Sequence, residues 1–110
     1  MISPVLMFAL LAAPSPANLN QARQSYSACL STVMKTNLKD RVAPDAFETT
    51  LATACKGEEA AFRTASISLD VASGTSRTSA EQSASFDITD IVENTKERYK
   101  TYIDTNTEPR

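Results

Sequence analysis

The sequence contains no histidine and no tryptophan, and only two of its 110 residues are glycine. Without histidine the chain lacks the usual general base, the commonest metal ligand and the base of serine-type triads. A formal net charge of −2 and the lack of an arginine-rich block give no electrostatic reason to expect nucleic acid as a partner. Length and composition therefore indicate one small domain, to which we assign no catalytic residue, metal ligand or cofactor.

A short apolar run precedes every charged residue of the chain. Residues 5–13 read VLMFALLAA, whereas a membrane span needs about 20 apolar residues. Ser15 and Ala17 follow at the −3 and −1 positions of a cleavage pattern. We therefore predict a signal peptide over residues 1–17, cleavage after Ala17, and a periplasmic or secreted mature chain, 18–110, with no stable transmembrane segment. A short uncleaved anchor and a cytosolic protein are the alternatives.

Apolar residues then recur every three or four positions, which is the spacing of amphipathic helices. The first run covers about 19–39. Pro44 begins a second, over about 45–73, which we expect to pass through Gly57 and to end at a Gly74 cap.

A third run continues to residue 104, and two N-terminal signals compete for its start. Thr78 and Glu81 fit a capping box that begins a helix near 79, and Asp87 fits a later N-cap. The tail over 105–110 is expected to fray.

The two cysteines indicate how the first two helices pair. In an antiparallel hairpin that turns near residue 42, Cys29 faces Cys55, and the same register places Val33 opposite Leu51. An oxidising compartment would join the cysteines in a disulfide, which contributes about 3 kcal/mol in the chain-entropy model. The predicted fold is an all-α three-helix bundle whose antiparallel hairpin is stapled by Cys29–Cys55.

Several side chains depart from the apolar stripes. Ile67, Val71 and Phe86 lie off the stripes and are candidates for a surface that faces a partner. Tyr99 and Tyr102, beside three basic residues, are candidates for contact with an anionic surface. We favour a structural interpretation, in which both rings lie on the core seam with their hydroxyls outward.

Glu58 lies on the apolar stripe of the second helix, opposite Tyr26, whose hydroxyl could donate a hydrogen bond to it. The favoured interpretation is that Glu58 or Glu59 reaches solvent past a thin core. The alternative is a buried acid in a small carboxylate-dependent enzyme. Because a chain of this size has little room for a substrate cleft, we do not predict an enzyme.

An ACL segment at 28–30 and the segment DAFETTLATACKGEEAAFR at 45–63, which share one cysteine pair, resemble small exported helical proteins of Gram-negative bacteria. The resemblance implies a periplasmic setting and carries no catalytic residues. We predict an exported, non-catalytic protein that binds another protein or an envelope component, with a redox-responsive disulfide protein as a further alternative. The far end of the second helix is left uncovered by the first, so a homodimer is an alternative that we do not rank above a monomer.

Overall fold

The computed structural model describes residues 14–109, of which 83% are helical, with no strand among them. The four helices are α1 (Pro16–Lys39), α2 (Pro44–Thr53), α3 (Lys56–Ala72) and α4 (Arg77–Thr105). The prediction of an all-α chain is confirmed. The apolar run at 5–13, which carries the signal-peptide prediction, lies outside the described residues.

Helix α1 begins with a serine cap and a proline. Ser15 is extended, and its hydroxyl accepts a hydrogen bond from the Asn18 N–H at 3.1 Å, while Pro16 occupies the first turn, where its missing N–H has no cost. The helix therefore starts about three residues earlier than its apolar spacing predicts. Cleavage after Ala17 would remove this cap from the mature helix.

The predicted second helix is interrupted, and the chain has four helices in the described region instead of three. Helix α2 ends at Thr53, Ala54 is extended with ψ 151°, and Cys55 is left-handed with φ 59°. The break follows a segment rich in β-branched threonine, a weak helix former whose hydroxyl competes for backbone carbonyls, as Thr53 does at the Thr50 carbonyl. Gly57, through which we expected the helix to pass, lies within α3, so the break falls just before it.

The break lets two short segments pack in different directions. Helix α3 runs along α1, while α2 packs against both α1 and α4. The phenyl ring of Phe47 on α2 stacks on the Tyr99 ring of α4, with centroids 3.8 Å apart and planes 12° from parallel. Phe47 thus contacts α4, while Cys55 lies beside α1.

Cys29 and Cys55 form a disulfide, as the register predicts. Their Cα atoms are 6.0 Å apart, and the bond connects positions separated by 26 residues. This Cα separation lies within the usual range for disulfides, so the bond needs no displacement of α1 or α3.

Helix α4 is continuous over 29 residues. Its N-cap is Ser76, whose hydroxyl accepts from the Ser79 N–H at 3.2 Å, so the earlier of the two predicted starts is right to within two residues. Asp87 lies inside the helix and caps nothing. At the preceding loop Gly74 has φ 101° and follows the end of α3, which confirms the predicted glycine cap.

The core brings together side chains from all four helices, and its largest fully buried members are Tyr26, Tyr99, Phe47, Phe62, Met34 and Leu38. The expectation that Tyr99 points its hydroxyl outward is wrong. That hydroxyl donates to the backbone carbonyl of Val42, in the loop between α1 and α2. Because Val42 lies 57 residues away in sequence, no local pattern reveals this partner.

The end of α4 is joined to the same loop. Asn106 is left-handed and caps the helix, and the Thr107 N–H donates to the Tyr102 carbonyl at 3.0 Å. The Arg41 guanidinium donates to the Asn106 side-chain oxygen. The first residues of the tail that we expected to fray are therefore hydrogen-bonded to the helix and to the α1–α2 loop.

Candidate functional site

The five residues predicted to face a partner divide into buried and exposed members. Tyr99 is fully buried, and Ile67 is only 8% exposed because it packs on Ala80 and Ala84 of α4. Neither presents an exposed side chain to a partner, so both candidate assignments are corrected, and the Tyr99 ring lies in the core as the favoured interpretation has it. Phe86 is 71% exposed and Val71 is 42% exposed, while Tyr102 is partly buried against the core.

Phe86 lies beside a shallow groove on α4, and a second groove lies between α3 and α4. Both grooves include Glu81 and Ser85, so they form one continuous surface, which we call the α3/α4 face. Its residues are Arg63, Thr64, Ile67, Ser68, Arg77, Thr78, Glu81, Gln82, Ser85, Phe86 and Thr89. Phe86 is the large apolar side chain that this face leaves exposed.

Two polar contacts lie on the α3/α4 face. The Arg63 guanidinium on α3 donates to the Ser85 hydroxyl on α4 at 2.9 Å, which links the two helices beside Phe86. Arg77 pairs with Glu81 at 3.2 Å along α4. This second pair is solvent-exposed and contributes little to stability, so its charges are accessible to a partner.

The predicted basic and aromatic cluster near the end of α4 does not form one surface. Tyr99 is in the core, and Lys96 pairs with Glu93 at 3.2 Å. Arg98 instead lines a cleft of about 120 Å³ between α1 and α4, with Ser27, Ser31 and Asn94. Sequence reasoning missed this cleft. Its only signal was serines on one helix and a basic residue on another, each at helical spacing, and such residues are common on exposed helix faces.

The two acids at the start of α3 have different surroundings. Glu59 accepts a hydrogen bond from the buried Tyr26 hydroxyl and lies 3.8 Å from the Lys56 ammonium. The predicted partner of Tyr26 was Glu58, so the register is displaced by one residue here. Glu58 is half-buried and lines an open groove between α1 and α3.

Burial first, and then the negative charge and hydrogen bond of Glu59, raise the pKa of the Tyr26 hydroxyl to about 12, while Arg63 opposes them. This pKa exceeds the ordinary value of 10.0, so the resulting stabilisation is complete below about pH 10. It is lost as pH rises through about 12.

We therefore expect the free energy of unfolding to fall between about pH 10 and 12, and part of this fall to vanish in Tyr26→Phe. At neutral pH the variant should lose about 1 kcal/mol, the net value of one hydrogen bond. Urea unfolding followed by circular dichroism across this pH range measures both effects. If the free energy of unfolding fell equally with pH in the wild type and in Tyr26→Phe, the assignment of this fall to Tyr26 would be contradicted. Tyr99, whose pKa burial also raises, accounts for a residual slope.

Glu58 lies near the disulfide. The Cys29 and Cys55 sulfurs and one Glu58 carboxylate oxygen all lie within 4.8 Å of one another, and all three residues are half-buried. Sequence reasoning assigned no metal ligand and missed this convergence. Its signal was present, because Cys55 and Glu58 are three residues apart on one helical turn and the register already placed Cys29 opposite Cys55.

Comparison of the chain with protein-family models, curated proteins and solved structures found no match. None of the helices within residues 14–109 has the length and hydropathy that crossing a membrane requires.

Proposed function

We propose that this chain is an exported, non-catalytic interaction protein that binds another protein through its α3/α4 face. Two features support export. The apolar run at 5–13 precedes a cleavage pattern at Ser15 and Ala17. The disulfide between Cys29 and Cys55 is consistent with an oxidising compartment such as the periplasm.

The observation that carries the binding proposal is the 71% exposure of Phe86. Its ring projects from the side of α4 opposite the core residues Ala84 and Ile88, so it does not pack in the core. Aromatic side chains of this kind supply much of the binding energy when they enter a pocket on a partner.

The surroundings of Phe86 suit a protein partner. Gln82, Ser85 and Thr89 provide hydrogen-bonding groups around the ring, and the exposed pair of Arg77 and Glu81 provides both signs of charge. An apolar centre with a polar rim is the usual composition of a protein interface. The partner that fits is a protein with an apolar pocket for the phenyl ring.

Site-specific photo-crosslinking in the cell tests this proposal. A photoreactive amino acid at Gln82 or at Thr89 should give one discrete adduct with a different protein, because both exposed positions line the Phe86 groove. The same probes combined with Phe86→Ser should lose the adduct. A probe at exposed Thr101, far along α4, should give none.

The experiment has clear contrary outcomes. An adduct that persists with Phe86→Ser, or no adduct from either position, contradicts the binding face. An adduct of twice the chain mass would mean that the face binds a second copy of this chain, which contradicts the proposal that a different protein binds there. In the same cells the uncrosslinked chain should be periplasmic, with an intact mass that begins at Asn18, and a full-length cytoplasmic chain would contradict export.

A further inference from the structure

The cluster formed by Cys29, Cys55 and Glu58 has the chemistry of a metal site once its sulfur atoms are reduced. Two thiolates and a carboxylate are ligands that Zn²⁺ accepts, and the three ligand atoms already lie within 4.8 Å of one another. Around a tetrahedral Zn²⁺ such atoms stand about 3.7 Å apart. The two sulfurs would therefore separate from bonding distance to admit the metal.

The helices hold these ligands in place without relying on the disulfide alone. Cys29 lies within α1, and the left-handed Cys55 is the N-cap of α3, so its side chain lies on the same first turn as Glu58. Helices α1 and α3 also pack through the buried Tyr26 and Phe62, whose ring centroids are 6.1 Å apart. The helix N-terminus favours the negative charge of the ligands.

Solvent and ions can reach this cluster. Gly57 and Glu58 line the open groove between α1 and α3, and a β-carbon placed on Gly57 would meet no atom within 4 Å. A three-ligand zinc site needs such an opening because its fourth position is taken by water.

We propose that the reduced protein binds one Zn²⁺ through the Cys29 and Cys55 thiolates and the Glu58 carboxylate, with water as the fourth ligand. The disulfide and the metal use the same two sulfurs, so they exclude each other. This site is separate from the α3/α4 face and does not depend on the function proposed above.

Reduction of the disulfide supplies the two thiols that bind the metal. A dithiol reductant gives two electrons and two protons to the Cys29–Cys55 bond and becomes a disulfide itself, leaving two thiols on the protein. Zn²⁺ then displaces both thiol protons. A disulfide oxidant takes two electrons from the thiolates and two protons from solvent and becomes a dithiol, which re-forms the Cys29–Cys55 bond and releases the metal.

Titration with Co²⁺, followed by Zn²⁺, tests the proposal on the full chain. After reduction by a phosphine, which binds these metals weakly, one equivalent of Co²⁺ should produce a sulfur-to-cobalt charge-transfer band. One equivalent of Zn²⁺ should abolish that band. The oxidised protein should give no band, and bound Zn²⁺ should slow reoxidation of the thiols. A reduced, helical wild type that binds neither ion overturns the proposal.

Adjacent acids provide a matched pair of variants. Glu58→Gln should weaken Zn²⁺ binding by about tenfold or more, because it removes a ligand. Glu59→Gln changes the neighbouring acid, which contacts Tyr26 and Lys56, and should leave affinity within about twofold. Equal affinities for wild type and Glu58→Gln would overturn the three-ligand site.

Circular dichroism keeps the test decisive if reduction unfolds the chain. Zn²⁺ should then restore helix in the reduced wild type at a lower concentration than in reduced Glu58→Gln. Failure of Zn²⁺ to restore helix in the wild type overturns the proposal, since a preformed cluster of ligands would couple metal binding to folding.

Discussion

Replacing Phe62 with alanine should lower the free energy of unfolding by about 3–5 kcal/mol. The phenyl ring is fully buried between α1 and α3, where it lies against the Tyr26 ring and beneath the Arg23 guanidinium, which is 5.6 Å from its centroid. Truncation removes this contact and leaves a cavity that rigid helices fill only in part. Urea unfolding of Phe62→Ala at neutral pH measures the loss.

Phe86→Ala is the matched control, because the residue change is the same and Phe86 is largely exposed. It should change the free energy of unfolding by less than about 0.5 kcal/mol. Similar losses in the two variants would contradict the distinction between a core ring and a binding ring. In a domain with a thin core, the loss at Phe62 is a large part of the total stability.

Removing the disulfide by Cys29→Ser with Cys55→Ser should lower the free energy of unfolding by about 3 kcal/mol in the chain-entropy model. The bond closes a separation of 26 residues, so its loss frees the unfolded chain more than it disturbs the packed helices. The melting temperature should fall by roughly 12–24 °C for a domain of this size. Thermal unfolding of the double variant, followed by circular dichroism, measures this shift.

The reduced wild type, without metal, should melt close to the double serine variant. A double variant as stable as the oxidised wild type would contradict the role of the disulfide as a staple.

A second comparison tests the backbone at the break between α2 and α3. Because Cys55 is left-handed, Cys29→Ala with Cys55→Gly should be about 1 kcal/mol more stable than Cys29→Ala with Cys55→Ala. Equal stabilities would mean that residue 55 leaves the left-handed region once the bond is gone.

Several features of the fold follow from local patterns and could be predicted. Apolar residues at helical spacing predicted an all-helical chain, and Gly74 predicted the end of α3. The cysteine pairing was predictable because one antiparallel register aligned both the cysteines and the apolar residues around them. Phe86 was recognisable as a surface residue because it lies off the apolar stripe of its helix.

Other features of the candidate sites depend on contacts between distant segments. Apolar spacing continues from α2 into α3, so it does not reveal the break at Ala54 and Cys55. A shift of one residue in register decides which of Glu58 and Glu59 contacts the Tyr26 hydroxyl. In the structure Glu59 does so, and Glu58 lines the groove. Residue spacing does not resolve so small a shift.

The sequence by itself determined the helical class, the apolar faces and the pairing of Cys29 with Cys55, because helix periodicity and a hairpin register are properties of nearby residues. Only the tertiary structure decided that Ile67 is buried, that the Tyr99 hydroxyl is hydrogen-bonded to the Val42 carbonyl, and that Glu58 joins the two sulfurs. Burial depends on which helix covers a face, and the convergence of three ligands depends on where one helix ends and the next begins. Both are set by packing between segments that are far apart along the chain.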